Sequence, residues 1–137
     1  MKAVKVLIID DDENSRSMAQ YCLFQLNCDC DIVSGGDEAL RLVRQSHYDL
    51  IIIDWNMPKM SGRETLQNIE TLIRQEGRHK ISHVVVYSGL PMSHLNLPQG
   101  YHVPVNGYVS KHVSPHKQLS AFKKYLDLFK KEIKEAA

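Results

Sequence analysis

The chain has 137 residues, a formal net charge of +1 and a hydrophobic fraction of 43%. This length predicts a single domain spanning 1–137, with a core of about 4–133. The small net charge disfavours direct nucleic-acid binding, and no apolar stretch predicts a membrane span or a signal peptide. Three cysteines (Cys22, Cys28 and Cys30) have neither zinc-site nor ordinary disulfide spacing, which favours reduced thiols and a cytoplasmic protein.

The amino-terminal third of the chain predicts two strand–helix units. The apolar run Val4–Ile9 predicts the first strand. A helix opens near Asn14, with apolar residues at helical spacing. A short second strand is expected at Cys30–Val33, and Asp37 is expected to cap the helix that runs to about Ser46.

The middle of the chain predicts the centre of a sheet. Leu50–Asp54 is a run of aliphatic residues ending in a carboxylate, which is typical of a strand buried on both faces. A third helix is expected to begin after Gly62 and to end before Gly77. The next strand is Val84–Tyr87, and it ends at Ser88.

The segment Leu90–Asn106 is the irregular part of the chain. Its helix-breaking residues are Pro91, Pro98, Gly100 and Pro104. They predict a loop with at most one helical turn, so the fourth helix is weak or missing. A fifth strand follows at Gly107–Lys111, and Ser114 caps a last helix that starts at Pro115 and extends to Ala137. The alternation of strands and helices predicts an α/β fold, a doubly wound parallel sheet.

Carboxylates follow two strands of this sheet. Asp10 and Asp11 come directly after the first strand, and Asp54 ends the third. The carboxyl ends of parallel strands meet at one edge of the sheet, so these groups are expected to lie together. Like charges at such distances repel unless a cation lies between them. Oxygen ligands on strand ends suit Mg²⁺, although Asp54 taken alone could instead cap the next helix.

Four segments together resemble the receiver domain of response regulators. They are Asp10–Asp11, Asp54–Gly62, Ser88 and Gly107–Lys111, and the Asp54 segment is similar to that of the chemotaxis receiver. The resemblance covers nearly the whole chain. It implies a flavodoxin-like five-stranded parallel sheet with strand order 2-1-3-4-5.

The resemblance also implies a phosphoacceptor site. Asp54 would accept a phosphoryl group from a phosphohistidine on a histidine kinase or a histidine phosphotransfer protein. Asp11 and Asp54 would bind Mg²⁺ directly, Asp10 would act through a water molecule, and the backbone carbonyl of Asn56 would be a further ligand. The domain would be regulatory rather than an enzyme, catalysing only its own phosphorylation and dephosphorylation.

Three further residues would complete the site and its readout. Ser88 and Lys111 would contact phosphoryl oxygens, which carry the charge of the transition state. Tyr108 matches the switch aromatic of the family and would rotate inward when Ser88 moves. The resulting change of surface would be read by a downstream protein or by an output domain outside these residues, and homodimerisation is a further alternative.

Two departures from the family pattern bear on this prediction. His112 stands where the family usually has a proline, often in a cis peptide, so we expect a trans peptide between Lys111 and His112. The segment Leu90–Asn106 replaces the usual fourth helix, which predicts an atypical output surface.

Two other functions remain open from the sequence. The first is a receiver-like interaction module that is not phosphorylated. The second is a phosphatase of the haloacid-dehalogenase type, because Asp10 and Asp12 form an Asp-x-Asp pattern after the first strand. The acidic pair that such phosphatases carry after the lysine is absent from this sequence, and the phosphatase would leave Asp54 unexplained.

Overall fold

The computed structural model describes residues 3–77, 83–95 and 105–136, the last range with side chains through 132. Within these residues the apolar runs form strands, and the amphipathic segments form helices. The strands are β1 (Lys5–Ile9), β2 (Asp29–Val33), β3 (Leu50–Ile53), β4 (His83–Ser88) and β5 (Gly107–Ser110). The helices are α1 (Glu13–Gln25), α2 (Gly36–Gln45), α3 (Gly62–Gln75) and α4 (Pro115–Ala136).

The strands form one parallel sheet in the order β2-β1-β3-β4-β5. This confirms the predicted flavodoxin-like, doubly wound architecture. Ile9 lies beside Ile53, and Ile53 lies beside Val86. Asp10 directly follows Ile9, and Asp54 directly follows Ile53. The register therefore brings both carboxylates to the same level of the sheet.

Successive strand residues point to opposite faces of the sheet. The strand residues packed with α2 and α3 include Leu7, Ile9, Ile51, Ile53, Val84 and Val86, and those packed with α1 and α4 include Val6, Ile8, Leu50, Ile52, Val85 and Tyr87. The central strands are therefore buried on both faces, as their unbroken aliphatic sequence predicts.

The helix ends agree with the sequence in most places. Gly77 has a φ of 62°, a left-handed conformation that ends α3 as predicted. The predicted cap of α2 is wrong: Gly35 is the residue at that position, and it makes no side-chain cap hydrogen bond. Asp37 instead lies within the first turn, where its negative charge interacts favourably with the helix dipole.

The described part of the segment between β4 and β5 contains a single 3₁₀ turn, Met92–His94. It has no α-helix over residues 90–95, which confirms the prediction for that part; residues 96–104 lie outside the described ones. The turn ends at Leu95, which is buried in the core beside α3. Among the described helices, none is both long and apolar enough to cross a bilayer.

Candidate functional site

Three carboxylates meet at the carboxyl edge of the sheet. Oxygen atoms of Asp10, Asp11 and Asp54 all lie within 4.8 Å of one another. Asp10 and Asp54 are 1% and 7% exposed, whereas Asp11 is open to solvent. The Asp54 amide donates to the carbonyl of Ile9 over 2.9 Å, so the backbone ladder fixes the two buried acids relative to each other. The predicted cluster is therefore present.

Burial and mutual repulsion act on the two buried acids. Burial, reinforced by the charge of Asp10, raises the pKa of Asp54 to about 6, although Lys111 opposes the change. Burial likewise raises the pKa of Asp10 above its ordinary value, again against the effect of Lys111. The site therefore holds negative charge at an energetic cost, which a cation bound among the carboxylates would offset.

Lys111 is the counter-charge within the protein. Its Nζ lies 2.8 Å from Asp10 Oδ2 and 3.5 Å from Asp54 Oδ2. Its amide donates to the carbonyl of Ser88 over 2.9 Å, which places it directly after β5. The peptide bond between Lys111 and His112 is trans, as expected for a residue other than proline at that position.

Ser88 is the last residue of β4 and is 1% exposed. Its Oγ accepts a hydrogen bond from the amide of Leu90 over 3.0 Å. A hydroxyl that accepts one hydrogen bond can still donate its own proton. Ser88 therefore retains a donor at the edge of the sheet that carries Asp54.

Tyr108 is half-buried on β5 and bound to the turn after Ser88. Its hydroxyl donates to the carbonyl of Leu90 and lies 3.4 Å from the carbonyl of Ser88. Its backbone is held from the other side: the hydroxyl of Tyr125 accepts from the Tyr108 amide over 3.2 Å and donates to the Tyr108 carbonyl over 3.3 Å. Tyr108 was predicted from the sequence, whereas Tyr125 was not.

The site also depends on a close backbone approach that was not predicted from the sequence. A Cβ on Gly62 would lie 2.3 Å from the backbone oxygen of Asp54 and 2.8 Å from the Cα of Trp55. The Gly62 amide donates to the Trp55 carbonyl over 2.9 Å. Gly62 therefore closes the turn after Asp54, and its position eight residues downstream of that acid was the available signal.

The donor atoms suit a hard divalent cation. The cluster offers only carboxylate oxygens, and the buried Asp10 Oδ2 has the Lys111 ammonium as its partner. The backbone of Asn56 hydrogen-bonds the Asp54 carboxyl and lowers its pKa, so this turn is in contact with the cluster. Oxygen ligands on rigid strand ends, with an exposed Asp11 that leaves room for water, match the preference of Mg²⁺.

The chain is similar to signalling proteins of several organisms. The family model for the response regulator receiver domain matches residues 6–123. Protein PilG of Pseudomonas aeruginosa is 28% identical over 129 residues, which are 92% of this chain and 90% of that protein. A probable histidine kinase 1 of Oryza sativa is 34% identical over 67 residues, which are 49% of this chain but 7% of the kinase. The match thus spans less than a tenth of that kinase.

Solved structures agree with the family match. A CheY-like receiver domain from Methylobacillus flagellatus has a TM-score of 0.71 at 22% identity, covering 93% of this chain and 99% of that one, and it supports the fold. The receiver domain of the histidine kinase CKI1 from Arabidopsis thaliana, solved with Mg²⁺ and BeF₃⁻, has a TM-score of 0.58 at 27% identity, covering 64% of this chain and 66% of that one. The chain therefore belongs to the response regulator receiver domains, the regulatory phosphoacceptor family of two-component signalling.

Proposed function

We propose that Asp54 accepts a phosphoryl group from the phosphohistidine of a histidine kinase or a histidine phosphotransfer protein. The observation that carries this proposal is the cluster itself: Asp54 lies among Asp10 and Asp11 with carboxylate oxygens within 4.8 Å, and the Lys111 ammonium is 3.5 Å from Asp54. A nucleophilic carboxylate with adjacent acids and a lysine at one sheet edge supplies the nucleophile and the charge neutralisation that phosphoryl transfer uses.

The transfer exchanges one bond to phosphorus for another. A carboxylate oxygen of Asp54 attacks phosphorus and forms an O–P bond, while the P–N bond to the donor imidazole breaks and its electron pair returns to the nitrogen. Lys111 neutralises charge on one phosphoryl oxygen, and the Ser88 hydroxyl donates to another. Hydrogen bonds with the backbone hold both residues at the edge of the sheet that carries Asp54.

Mg²⁺ would be held directly by Asp11, Asp54 and the backbone carbonyl of Asn56, with Asp10 acting through water. When bound, it neutralises charge on the carboxylates and on the phosphoryl oxygens. The raised pKa values of Asp54 and Asp10 support this assignment, because they reflect burial and repulsion that a cation would offset.

In this proposal, the conformation of Tyr108 responds to phosphorylation of Asp54. Its hydroxyl contacts the carbonyls of Ser88 and Leu90, so it is tied to the turn that follows the phosphoryl-binding hydroxyl. Movement of Ser88 towards a phosphoryl group breaks these contacts and frees the tyrosine to rotate, a two-state response to a local charge change. A Tyr108 side chain that keeps one rotamer with and without BeF₃⁻ contradicts this role.

The output partner would bind the surface formed by β5, α4 and the segment after β4. Met92 is half exposed in the 3₁₀ turn of that segment, where the family has a helix. The partner is a downstream protein or an output domain outside these residues, with homodimerisation as the alternative. The whole chain acts as one cytoplasmic receiver domain that has no other enzymatic activity.

The decisive experiment is phosphorylation with acetyl phosphate and Mg²⁺ on a phosphate-affinity gel. A shifted, base-labile band is expected from the wild type and not from Asp54→Asn. The matched control is Asp12→Asn, because Asp12 lies next to the cluster but serves as the cap of α1, a role that asparagine also fills. If neither acetyl phosphate nor a phosphohistidine donor gives a band, the chain is a receiver-like interaction module instead. A band that persists in Asp54→Asn excludes Asp54 as the acceptor.

A further inference from the structure

A buried amide side chain holds the turn that follows Lys111. Gln118 lies in the first turns of α4 and is 4% exposed. Its Nε2 donates to the carbonyl of Lys111 over 3.3 Å and to that of Val113 over 3.0 Å. Its Oε1 accepts from the Tyr87 hydroxyl over 2.5 Å. Both amide protons and the amide oxygen are therefore used, which fixes the orientation of the side chain.

Tyr87 contacts the other end of the same lysine. The Lys111 ammonium lies 5.3 Å from the centre of the Tyr87 ring, within the range of a cation–π contact. Tyr87 is buried on β4, one residue before Ser88, and packs against Phe122 of α4. Burial raises its pKa, so the hydroxyl stays protonated and remains a donor to Gln118. The pair Tyr87–Gln118 thus touches both the backbone and the charged end of Lys111.

The turn after Lys111 needs such a tether. Beyond Lys111 the chain leaves the sheet, and its next residue is His112 rather than a proline with a fixed φ. The His112 amide donates to Ser110 Oγ over 3.0 Å, but the side chain of His112 is exposed. The buried contacts to the carbonyls on either side of His112 both come from Gln118.

We propose that Tyr87 and Gln118 are positioning residues that hold Lys111 against Asp10 and Asp54. The role rests on the function proposed above, since Lys111 matters there as the cation beside the phosphoryl group. Neither residue touches the acceptor carboxylate. Their loss lets the Lys111 ammonium move away from Asp54, and misplacement of a catalytic group by about 1 Å lowers a rate by roughly tenfold to a hundredfold.

The first test measures the position of Lys111 without any phosphoryl donor. Gln118→Met keeps a similar volume but removes all three hydrogen bonds, and Tyr87→Phe keeps the ring and removes only the hydroxyl. Acetic anhydride labelling followed by mass spectrometry reports the accessibility of the Lys111 amine. Labelling of Lys111 is expected to rise several-fold in Gln118→Met and less in Tyr87→Phe. Lys5, half-buried on β1 with its own aromatic contact, is the control and should not change.

The second test separates positioning from general stability. The phosphorylation rate of Gln118→Met should fall roughly tenfold. Mg²⁺ binding, read from the fluorescence of Trp55, should be retained or strengthened, because the acids are unchanged and the displaced ammonium competes less with the cation. In a Lys111→Ala background, Gln118→Met should have no further effect on the rate, whereas its effect on unfolding should persist.

Unchanged Lys111 labelling in Gln118→Met overturns the proposal. So does an equal fall in rate with and without Lys111, because the amide would then act through some other group. A wild type that takes up no phosphoryl group refutes the function of Asp54, while the labelling of Lys111 still decides the positioning role of the pair.

Discussion

At the amino ends of the strands, several charged and polar groups are held by hydrogen bonds or aromatic contacts. The Lys5 amide donates to Asp49 over 2.9 Å, and its ammonium lies over the Tyr48 ring at 5.1 Å. The Tyr48 hydroxyl donates to Asp31 over 2.6 Å, and His47 lies 3.4 Å from Asp49. At the carboxyl ends of the same strands, the buried acids Asp10 and Asp54 share one lysine, and Asp11 lies beside them.

The difference between the two edges is one of charge placement rather than of fold. Both edges belong to one sheet and are reached by the same strands. The acids of the amino edge are exposed or half-buried, so water screens their charge. The carboxyl edge keeps uncompensated negative charge in a buried position, which stability alone does not favour. Such an arrangement is typical of a site that binds a cation or an electrophile.

The largest expected effect is that of removing the shared lysine. Lys111→Ala should slow phosphorylation of Asp54 roughly a hundredfold, because the ammonium beside the phosphoryl oxygens is lost. The rate with acetyl phosphate and Mg²⁺ measures this. Lys5→Ala, which removes the corresponding cation at the amino edge, should leave the rate unchanged. If both variants slow the reaction equally, the contrast between the edges is wrong.

A smaller effect is expected from the backbone beneath the acids. Gly62→Ala places a Cβ against the Asp54 carbonyl and should lower the free energy of unfolding by about 2 kcal/mol. Urea denaturation measures the loss. The matched control is Gly35→Ala, since a Cβ on Gly35 meets no atom within 4 Å. A loss in Gly35→Ala as large as that in Gly62→Ala would contradict the close approach as its cause.

The repulsion among the acids should appear as a pH dependence of stability. Asp54 has a pKa of about 6 in the folded protein against 3.8 for the free group, so the folded state binds more protons between these values. The free energy of unfolding should therefore fall as pH rises through this window when no divalent cation is present.

Asp54→Asn should remove the contribution of Asp54 to this pH dependence. At pH 7 its free energy of unfolding should exceed that of the wild type by roughly 1–3 kcal/mol. Denaturation curves at several pH values, with EDTA and then with Mg²⁺, measure the difference, which the cation should reduce. If the variant and the wild type have the same free energy of unfolding at every pH, ionised Asp54 does not destabilise the folded protein.

The smallest effect is expected at the amino edge. Tyr48→Phe removes the hydrogen bond to Asp31 and should lower the free energy of unfolding by about 1 kcal/mol. The phosphorylation rate and the response to Mg²⁺ should not change. A marked change in either would mean that the two edges are energetically coupled.

The sheet and its acidic edge were predictable because they depend on local patterns and one topological rule. Aliphatic runs ending in acids identify β1 and β3, and parallel strands bring their carboxyl ends together. The N-cap of α2 was harder to predict. Asp37 and Gly35 are both acceptable capping residues, and the sequence alone does not decide at which of them the helix begins.

The contacts around Lys111 could not be predicted in the same way. Gln118 and Tyr125 lie on a helix whose apolar stripe is evident, but the stripe does not fix how the helix is rotated or which strand atoms its polar tips reach. A glutamine at the margin of such a stripe usually faces solvent. Only packing of α4 on β4 and β5 brings Gln118 to Tyr87 and to the turn after Lys111.

The hydroxyl of Tyr125 has a consequence for assembly. It bonds both the amide and the carbonyl of Tyr108 on the free side of β5, and its ring lies where a Cβ on Gly107 would be. An extended peptide can join a sheet only where such backbone groups are open. The side chain of Tyr125 thus occupies the backbone groups that Tyr108 would offer to an added strand. Strand addition at Tyr108 would have to displace this hydroxyl, which disfavours strand-to-strand association at this border.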